Sequence, residues 1–537
     1  DVQRLSNGNW KRIDRNILLS WMPDSLSKPL ACGDSVCFYA KVSYPFSEKE
    51  LTRFDYGDYL LRKSISGTAL AYAGNWRCTG KPRSLSVSQL AKVCQQQVVD
   101  IYRSWGFDQD VQAVVSALTI GEKTDLTPEL KAMYSAAGVS HVLALSGLHV
   151  GILSCILLWL FYPLTYLKYG RKILAFLVVC LLWLFAFISG LSSSVVRAVV
   201  MYSLYTLASF CSEERFSGMH SLVLAAFLML IYNPFFLFDI SFQLSFTAVF
   251  SILAFYPLFS HWLCIKNCVL RYVWNTLSLS ISAQLGTLPF ILYYFGSFPT
   301  YFLLANLVVV ILAGGILMLT LVALCVASVP MVGSTLMTLL EWCTSVLNES
   351  TRWVQQLDGS QITSVYLSFS QACLLIVVII CFYLCWVSDI HRKASDWIRL
   401  LMVCNLFVVV SCVEYTGKAP EQLYFFRSEV YTRKRDCVST HRSETGLLCI
   451  RNVHIAVLDD ARWRTCESSL RLPLEYAYIC RGFKGSLSQL DKLFVIRQVI
   501  LDSSLSDAFR EKLIRECQLL KISYTDLSVH GSYSVVL

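Results

Sequence analysis

Eight polar residues stand out because they fall inside or beside long apolar runs: His141, Ser146, His149, Arg197, Asp239, Gln243, Gln284 and Asn306. Polar and ionisable groups are costly in hydrocarbon and mark either a functional path or a packing pair. Arg197 makes the largest demand. An unpaired guanidinium at mid-span costs at least about 2.5 to 3.5 kcal/mol. It therefore either lines a functional path or forms an ion pair with Asp239 or Glu341 that fixes helix packing. Gln243, Gln284 and Asn306 suit a wet path and equally suit interhelical hydrogen bonding. Asp239, at a span end, suits a path or a helix cap. His141, Ser146 and His149 stand together at the start of an apolar run. There Ser146-Gly147 either lets helices approach closely or interrupts the helix, as in discontinuous transporter helices. Ser146 with His141 or His149 also offers a nucleophile and a base. Glu122 and Lys123 lie in a surface segment, as part of a site or as a solvated turn.

The elements that must position these residues are membrane spans. Between Val142 and Glu414 the sequence reads as about ten apolar stretches of roughly 17 to 28 residues, close to what a bilayer requires. They begin near Val142, Lys172, Ser193, Met219, Asp239, Val273, Thr300, Met331, Ser368 and Trp397. The third and eighth are the weakest, because they carry Arg197 and Glu341. Trp and Tyr near span ends read as interfacial anchors. Upstream, residues 85–140 have helical periodicity. Leu90, Cys94, Val98, Ile101 and Tyr102 recur at three- and four-residue spacing, and Thr127-Pro128 marks a helix start. These helices are expected on the membrane surface or packed on the mouth of the spanning region. Residues 1–84 are polar and read as strands and turns, with Gly33-Asp34, Gly57-Asp58 and Gly67 as punctuation and a small β-barrel as the expected form. From residue 415 to 537 a small α/β domain is expected. Its strands are near Val453 to Leu458, Tyr476 to Cys480 and Val495 to Leu501, and its helix is near Leu505 to Leu520.

Composition agrees. The hydrophobic share is 55% and the charged share 15%, whereas a soluble protein averages about 25% charged residues. Many of the 21 cysteines, such as Cys155, Cys325 and Cys385, lie in apolar runs where a thiol acts as a small hydrophobe. A disulfide is open only among Cys32, Cys37 and Cys78. No Cys/His cluster has zinc spacing, and no cofactor is expected. Basic residues are asymmetric. Lys168, Arg171, Lys172, Arg215, Lys266, Arg271, Arg392 and Lys393 fall in loops on one side, against Arg352 on the other. The positive-inside rule places those loops in the cytoplasm and both chain ends outside it. The chain starts at Asp1 without a methionine or signal peptide and is expected to lack its first residues.

Several phrases carry a family resemblance. Residues 138–150 read Gly-Val-Ser-His-Val-Leu-Ala-Leu-Ser-Gly-Leu-His-Val. Upstream, 117–123 read Ala-Leu-Thr-Ile-Gly-Glu-Lys, and 193–201 hold a Ser-x-x-Arg-Ala-x-x-Met pattern around Arg197. Asn233-Pro234 with Asp239-Ile240-Ser241-Phe242-Gln243, and Ala283-Gln284-Leu285-Gly286 with Leu304-Ala305-Asn306, follow in order. Together these resemble the competence domain of the ComEC family. Residues Phe54 to Leu60 with Ile65-Ser66-Gly67 resemble its OB-like domain. Many members end in a metallo-β-lactamase-like domain with a His-x-His-x-Asp-His cluster. This chain has Arg481-Gly482-Phe483-Lys484-Gly485-Ser486 where a His-His-Gly-Ser segment would fall. Its last segment, Tyr524 to Ser532, is similar to that domain's final turn and strand. The C-terminal domain therefore resembles a shortened relative without metal ligands and without nuclease activity.

The resemblance implies a polytopic α-helical protein of the bacterial inner membrane, with extracytoplasmic N- and C-terminal domains. Its implied role is a channel importing single-stranded DNA during natural transformation. The eight polar residues become candidates for the DNA path. Implied partners, besides DNA and membrane lipid, are a cytoplasmic ATP-driven motor, a periplasmic DNA-binding protein, a separate nuclease and further copies of the chain. The motor must be separate because no Walker A lysine loop is present. Two other classes stay open: a transporter of another solute, and an intramembrane serine hydrolase. Against the hydrolase, Ala144 stands where a Gly-x-Ser-Gly motif has glycine.

Overall fold

The computed structural model describes residues 2–6, 9–13, 15–22, 30, 33–45, 56–80, 85–211, 218–326, 330–363, 365–387, 394–416, 421–426, 428–434, 437–441, 443, 445–464, 470–530 and 532–537. Cys32, Phe54, Asp55, Arg215, Arg392, Lys393 and Gly531, to which the sequence draws attention, lie outside them. The chain forms two compact units. One holds Asp1–Pro23, Tyr39–Asn75 and Val413–Leu537; the other holds Asp24–Phe38 and Trp76–Cys412.

The N-terminal strands do not close into a barrel among the described residues. β1 (Val2–Ser6) and β2 (Asn9–Ile13) pair as a hairpin. β3 (Asn16–Trp21), β5 (Val42–Ser43) and β6 (Ile65–Ala71) form a sheet ordered β3-β6-β5, whereas β4 (Ser35–Phe38) pairs with β7 (Trp76–Gly80). The run from Ser35 to Val42 thus serves two separate sheets. Gly57-Asp58, expected as a turn, lies in a helix, α1 (Tyr56–Arg62). There Asp58 occupies the first turn, where the helix dipole favours it, and sits 3.8 Å from Arg62 four residues on. Cys78 lies opposite Val36, and Cys37 opposite Arg77. Neighbouring residues on a strand face opposite sides, so Cys37 and Cys78 are turned away from each other and both are free thiols.

Three helices follow: α2 (Val87–Ser104), α3 (Gln109–Ile120) and α4 (Pro128–Ala136). Ser86 and Gln89 form a capping box at α2, and Thr127 caps α4 ahead of Pro128. Helix α2 is amphipathic and mostly exposed, whereas α3 is a buried helix. Nearly every side chain of α3 from Val111 to Ile120 is buried. Tyr102, Val114, Leu118 and Tyr134 share one core with Ala305, Ile316, Leu340 and Leu347 of later helices. Deep inside it, the Tyr134 hydroxyl donates to Asn348 Oδ1 at 2.7 Å.

Among the described residues, ten α-helices occupy the stretch expected to span the membrane: α5 (Gly147–Leu160), α6 (Gly170–Ile188), α7 (Ser193–Cys211), α8 (Gly218–Tyr232), α9 (Ile240–Ser260), α10 (Cys268–Tyr294), α11 (Phe302–Val326), α12 (Pro330–Gln356), α13 (Phe369–Val387) and α14 (Ala394–Thr416). Among the described residues, six are long and apolar enough to cross a bilayer: α6, α9, α10, α11, α13 and α14. Helices α5 and α8 are apolar but short. At 1.5 Å per residue, 14 residues reach about 21 Å, less than the roughly 30 Å hydrocarbon core. The strands β8 (Phe298–Pro299) and β9 (Gln361–Ile362) pair beside the ends of α11 and α12.

Helices α9 and α10 meet along a seam of small polar residues. Ser251 Oγ donates to the Ser282 carbonyl at 2.6 Å. A Cβ on Gly286 would sit 2.5 Å from the Ser251 Cβ and 2.6 Å from the Thr247 carbonyl oxygen. Close backbone approach of this kind drives helix association where lipid removes the hydrophobic force.

After α14 the chain builds two sheets. β10 (Gln422–Phe426), β11 (Glu429–Lys434), β12 (Cys437–His441) and β18 (Tyr533–Val536) form an antiparallel sheet ordered β12-β11-β10-β18. β13 (Leu447–Ile450), β14 (Val453–Leu458), β15 (Leu472–Ile479), β16 (Phe494–Leu501) and β17 (Ser523–Asp526) form the second, in which β14 to β17 run parallel. Its crossovers contain α15 (Leu487–Leu493) and α16 (Asp507–Leu520); the short α17 (Leu527–His530) precedes β18. Strand alternation divides the core cleanly. Ile455, Tyr478 and Ile500 face Leu423 and Phe425 of the first sheet, while Ala456, Ala477 and Val499 face Leu487 and Leu513 of the helices.

The seam yields a test. Gly286→Val should destabilise by about 1 to 3 kcal/mol through overpacking, lowering membrane abundance and the melting temperature in detergent. Gly315→Ala, where an added Cβ meets nothing within 4 Å, should match the parent.

Candidate functional site

Six of the eight candidates lie on or beside the starts of α5, α7 and α9, and Gln284 and Asn306 lie on α10 and α11. The expected first span does not begin at Val142. Residues 137–146 are non-helical, and α5 starts only at Gly147. The connector is held by buried Val139, Val142, Leu143 and Leu145, and His141 is exposed on it. Gly138 makes the connector fit. Its φ is +77°, and a Cβ there would lie 2.7 Å from Pro299 Cγ. Irregular backbone of this kind is tolerated at membrane depth only when protein covers it. Of the two readings of Ser146-Gly147, interruption of the helix is the one observed.

Ser146 is the N-cap of α5 and His149 takes the third helical position, closing a capping box. The Ser146 backbone N–H donates to His149 Nδ1 at 3.3 Å, and Ser146 Oγ lies 3.2 Å from the same nitrogen. Nδ1 is thus an acceptor, and the neutral ring carries its proton on Nε2. That Nε2 is buried and has no partner among the described residues.

Helix α7 packs its second turn between two helix starts. Through Ala198 it meets α5, because the Gly147 Cβ position lies 3.9 Å from the Ala198 Cβ. Through Arg197 it meets α9. Arg197 is 2% exposed. Its Nη2 donates to Ser241 Oγ at 2.7 Å, while Nε is buried without a partner. Neither Asp239 nor Glu341 forms an ion pair with it among the described residues, which removes the expected direct salt bridge. Asp239 instead caps α9, its Oδ1 accepting from the Ser241 backbone N–H at 3.2 Å. The carboxylate makes no ion-pair contact with the guanidinium, and both bond to Ser241, one at its backbone and the other at its hydroxyl. Gln243, in the same turn, donates from Nε2 to the Leu237 carbonyl at 2.8 Å, and its Oε1 is buried and unpartnered.

Gln284 and Asn306 belong to the α10–α11 pair. Asn306 Nδ2 donates to Ser280 Oγ at 3.3 Å, and its Oδ1 lacks a partner, as does Gln284 Nε2. Ser280 and Gln284 are four residues apart and share a helix face. Five of the eight candidates, His149, Arg197, Gln243, Gln284 and Asn306, therefore present a buried polar atom that no described protein group satisfies. Glu122 is placed as a local staple. Its Oε1 accepts from the backbone N–H groups of Lys123 and Thr124, each at 2.9 Å, closing the turn after Gly121. Lys123 is exposed there. The groove of about 620 Å³ beside α5, lined by Leu148, Gly151, Ile152, Tyr202, Gly314 and Met318, is apolar and contains none of the candidates.

Sequence reasoning missed Ser241, Ser280, Ser251 and Ser282, the hydroxyl groups that position or pack the candidates. Ser241 lies inside the phrase that drew attention to Asp239 and Gln243, but a serine carries no cost signal of its own.

In the C-terminal domain the ends of the parallel strands converge on Asp502, which is fully buried. It accepts from the Tyr478 hydroxyl at 2.5 Å, the Ser428 hydroxyl at 3.1 Å and the Ser504 backbone at 3.1 Å. Burial, reinforced by Asp502, pushes the neighbouring Cys480 thiol well above its ordinary value. It is a poor nucleophile there. His441 is bonded to Thr432 Oγ1 at 2.7 Å, and His454 lies 3.6 Å from Glu475. Among the described residues, no group of three or more His, Cys, Asp or Glu is placed to hold a metal ion.

A bundle of helices long and apolar enough to cross a membrane, with polar groups turned inward and an α/β domain, defines a polytopic membrane protein. The Competence protein family model matches residues 118–389, and that of the ComEC C-terminal domain matches residues 408–537. The chain belongs to this family. It is 30% identical over 261 residues to ComE operon protein 3 of Bacillus subtilis (strain 168), covering 48% of this chain and 31% of that protein. It is 33% identical over 185 residues to an uncharacterized protein of Aquifex aeolicus (strain VF5), covering 34% of this chain and 41% of that one. The matches thus span less than half the length of either relative. No solved structure matches.

The relay through Ser241 is testable by membrane abundance and melting temperature. Ser241→Ala should cost about 1 to 3 kcal/mol, because it deprives a buried guanidinium of its hydrogen bond. Asp239→Asn should stay near the parent, since asparagine caps helices as well as aspartate. A large loss in Asp239→Asn would restore the direct ion pair.

Proposed function

We propose that this chain forms the channel through which single-stranded DNA crosses the bacterial inner membrane during natural transformation. Family membership points to competence, and one observation carries the finer reading. Arg197 is a buried guanidinium held by one neutral hydroxyl, with Nε unpartnered and no carboxylate in ion-pair contact. A charge left in that condition costs several kcal/mol. A phosphodiester supplies what it lacks: a negative charge and acceptor oxygens that match the guanidinium fork. The starts of α5 and α9, on either side of Arg197, add the positive ends of two helix dipoles, which favour anions. The orphan N–H groups of His149 and Gln284 suit a hydrated path along which a polyanion exchanges water for fixed donors, while the orphan carbonyl oxygens of Gln243 and Asn306 suit the water itself.

The reading extends to orientation. The strands β1, β2, β3, β5 and β6 and the C-terminal domain fall in one compact unit, whereas β4 and β7 belong to the other; the shared unit supports placing its two parts on the same side of the membrane. The basic loops favour the extracytoplasmic side for it. An inner-membrane location with ten crossings agrees with this. The C-terminal domain acts without metal-dependent nuclease activity, its strand ends being occupied by the Asp502 network. A separate nuclease, a cytoplasmic ATP-driven motor and a periplasmic DNA-binding protein complete the pathway. The Ser146–His149 pair is better read as a helix cap than as a hydrolytic dyad, because the imidazole nitrogen facing the hydroxyl also binds the cap backbone.

Deletion of the protein should leave labelled DNA bound at the cell surface while abolishing its entry into the cytoplasm; normal transformation in a clean deletion would refute the channel reading. Arg197→Gln should lower import by about 10- to 100-fold, the worth of a charged hydrogen bond, at near-normal membrane abundance. Arg197→Lys should fall between, since an ammonium keeps the charge and loses the fork. Normal import by Arg197→Gln would remove Arg197 from the path. The purified full chain should not cleave DNA with manganese or zinc; chelator-sensitive cleavage would overturn that assignment.

A further inference from the structure

The C-terminal domain has two unlike ends. Its parallel strands finish at the Asp502 network, and Ser428, beyond the end of β10, bonds to Asp502 there. The strands start at the other end. The chain enters the domain at that starting end, because β10 begins at Gln422 and runs toward Ser428. Two contacts fix the entry point. The Leu537 backbone N–H donates to the Glu421 carbonyl at 2.8 Å. Arg451, in the turn that leads into β14, has its Nη2 2.5 Å from Glu421 Oε2. Glu421 follows Thr416, the last residue of α14, by five positions, a reach of at most about 18 Å. The last turn of α14, from Val413, belongs to the same compact unit as the domain. The starting end is therefore the end nearest the membrane that α14 crosses.

Large apolar side chains are exposed at this end and not at the other. Among the described residues of the domain they are Leu470, Leu472, Val495, Leu519, Leu520 and Val536, with Tyr524 on the edge strand β17. Leu472 opens β15 and pairs with Phe494 at the start of β16, where Val495 follows. Leu519 and Leu520 end α16 just ahead of β17, and Leu519 is 82% exposed. Cations are interleaved with them. Arg471 precedes Leu472, Lys492 and Arg497 flank Val495, and Lys521 follows Leu520. All four are exposed, and none forms an ion pair among the described residues. The carboxylates beside them, Glu475 and Asp491, are half-buried, and Glu475 Oε2 accepts from the His454 backbone N–H at 2.6 Å. The mixture of leucine and lysine selects among partners. A surface for single-stranded DNA offers aromatic planes on which bases stack, and the core of a protein interface is rich in aromatics and poor in lysine. Leucine beside lysine and arginine is the composition of a surface that lies in a lipid headgroup layer.

We propose that the strand-starting end of the C-terminal domain is a seat on the bilayer, and that it binds anionic phospholipid. Leu472, Val495, Leu519 and Leu520 enter the headgroup layer, while Arg471, Lys492, Arg497 and Lys521 meet the lipid phosphates. The stems of the lysines and arginines lie along the apolar surface and carry their charges to the phosphate level. Buried apolar area and charge attraction then add. Seating in this way turns the Asp502 end of the domain away from the bilayer. The inference rests on α14 crossing the membrane and is separate from what the bundle conducts.

The test uses the full chain in vesicles, with a photo-crosslinking side chain at position 519 or, at the opposite end, at position 484. In vesicles of phosphatidylglycerol and phosphatidylcholine in equal parts, position 519 should capture lipid and position 484 should capture little. Capture at 519 should fall in phosphatidylcholine alone and at high salt. Arg471→Gln and Lys521→Gln should each lower the phosphatidylglycerol-dependent capture by up to about 5-fold, the worth of one basic residue at an anionic surface. Both side chains are exposed, so the membrane abundance of these variants should match the parent. Equal capture at the two positions, capture indifferent to phosphatidylglycerol, or capture of a second copy in place of lipid would each overturn the proposal. So would displacement of the lipid by single-stranded DNA, which would assign this end to nucleic acid.

Discussion

The organising constraint in this molecule is the cost of leaving a polar group unsatisfied where there is no water. Helix α7 is the pivot, because its buried Arg197 has one hydrogen bond and no ion-pair contact among the described residues. Ser241 gives it one bond, and Asp239 is kept at one remove by its duty as the cap of α9. A direct salt bridge would have removed the charge from any further use. The relay fixes the side chain and leaves Nε available. The same logic explains the interrupted entry to α5. A continuous helix from Val142 would have satisfied the backbone within itself and moved the capping pair Ser146–His149 into mid-helix.

Rigidity for this arrangement comes from elsewhere. Helices α3, α11 and α12 share a core that includes Leu118, Ile316 and Leu340, and the Tyr134–Asn348 hydrogen bond ties α4 into it. The α9–α10 seam is set by glycine and serine, not by bulk. In lipid, side-chain size gives no advantage over the tails it displaces, so close approach and satisfied hydroxyls carry the association. Large residues face outward along most of these helices, among them Phe176, Phe227 and Phe250.

Much of this was legible in the sequence, for identifiable reasons. Helix starts at Ser193, Gly218 and Phe369 lie within a residue of those read from hydropathy, because apolar runs bounded by loops leave little freedom. The β14 strand, Val453–Leu458, came from its apolar run. The failures share a cause. Gly57-Asp58 looked like a turn, but a dipole-compatible Asp58 with Arg62 four residues on makes a helix. The start of α5 was set five residues early because Val142 to Leu145 are apolar, and hydropathy does not distinguish a buried connector from a span. Helix α3 looked amphipathic and proved buried, since periodicity does not reveal a second layer of helices. The partner of Arg197 was sought among carboxylates because charge advertises itself, whereas Ser241 does not.

Two asparagines separate what the bundle does inside from how its exterior is used. Asn306 is turned inward, bonded to Ser280 on a neighbouring helix and keeping one amide atom for the interior. Asn405 is turned outward and, among the described residues, its side chain is bonded to the Leu401 carbonyl of its own helix. Both lie in helices apolar enough to cross a membrane. Their orientation differs, and orientation decides what can satisfy them. An inward amide can be met by water or a polar solute moving between helices. An outward amide can be met only by another protein surface at the same depth. Polar residues in a membrane protein of this kind are therefore best sorted by the side of the helix they occupy before any role is assigned to them.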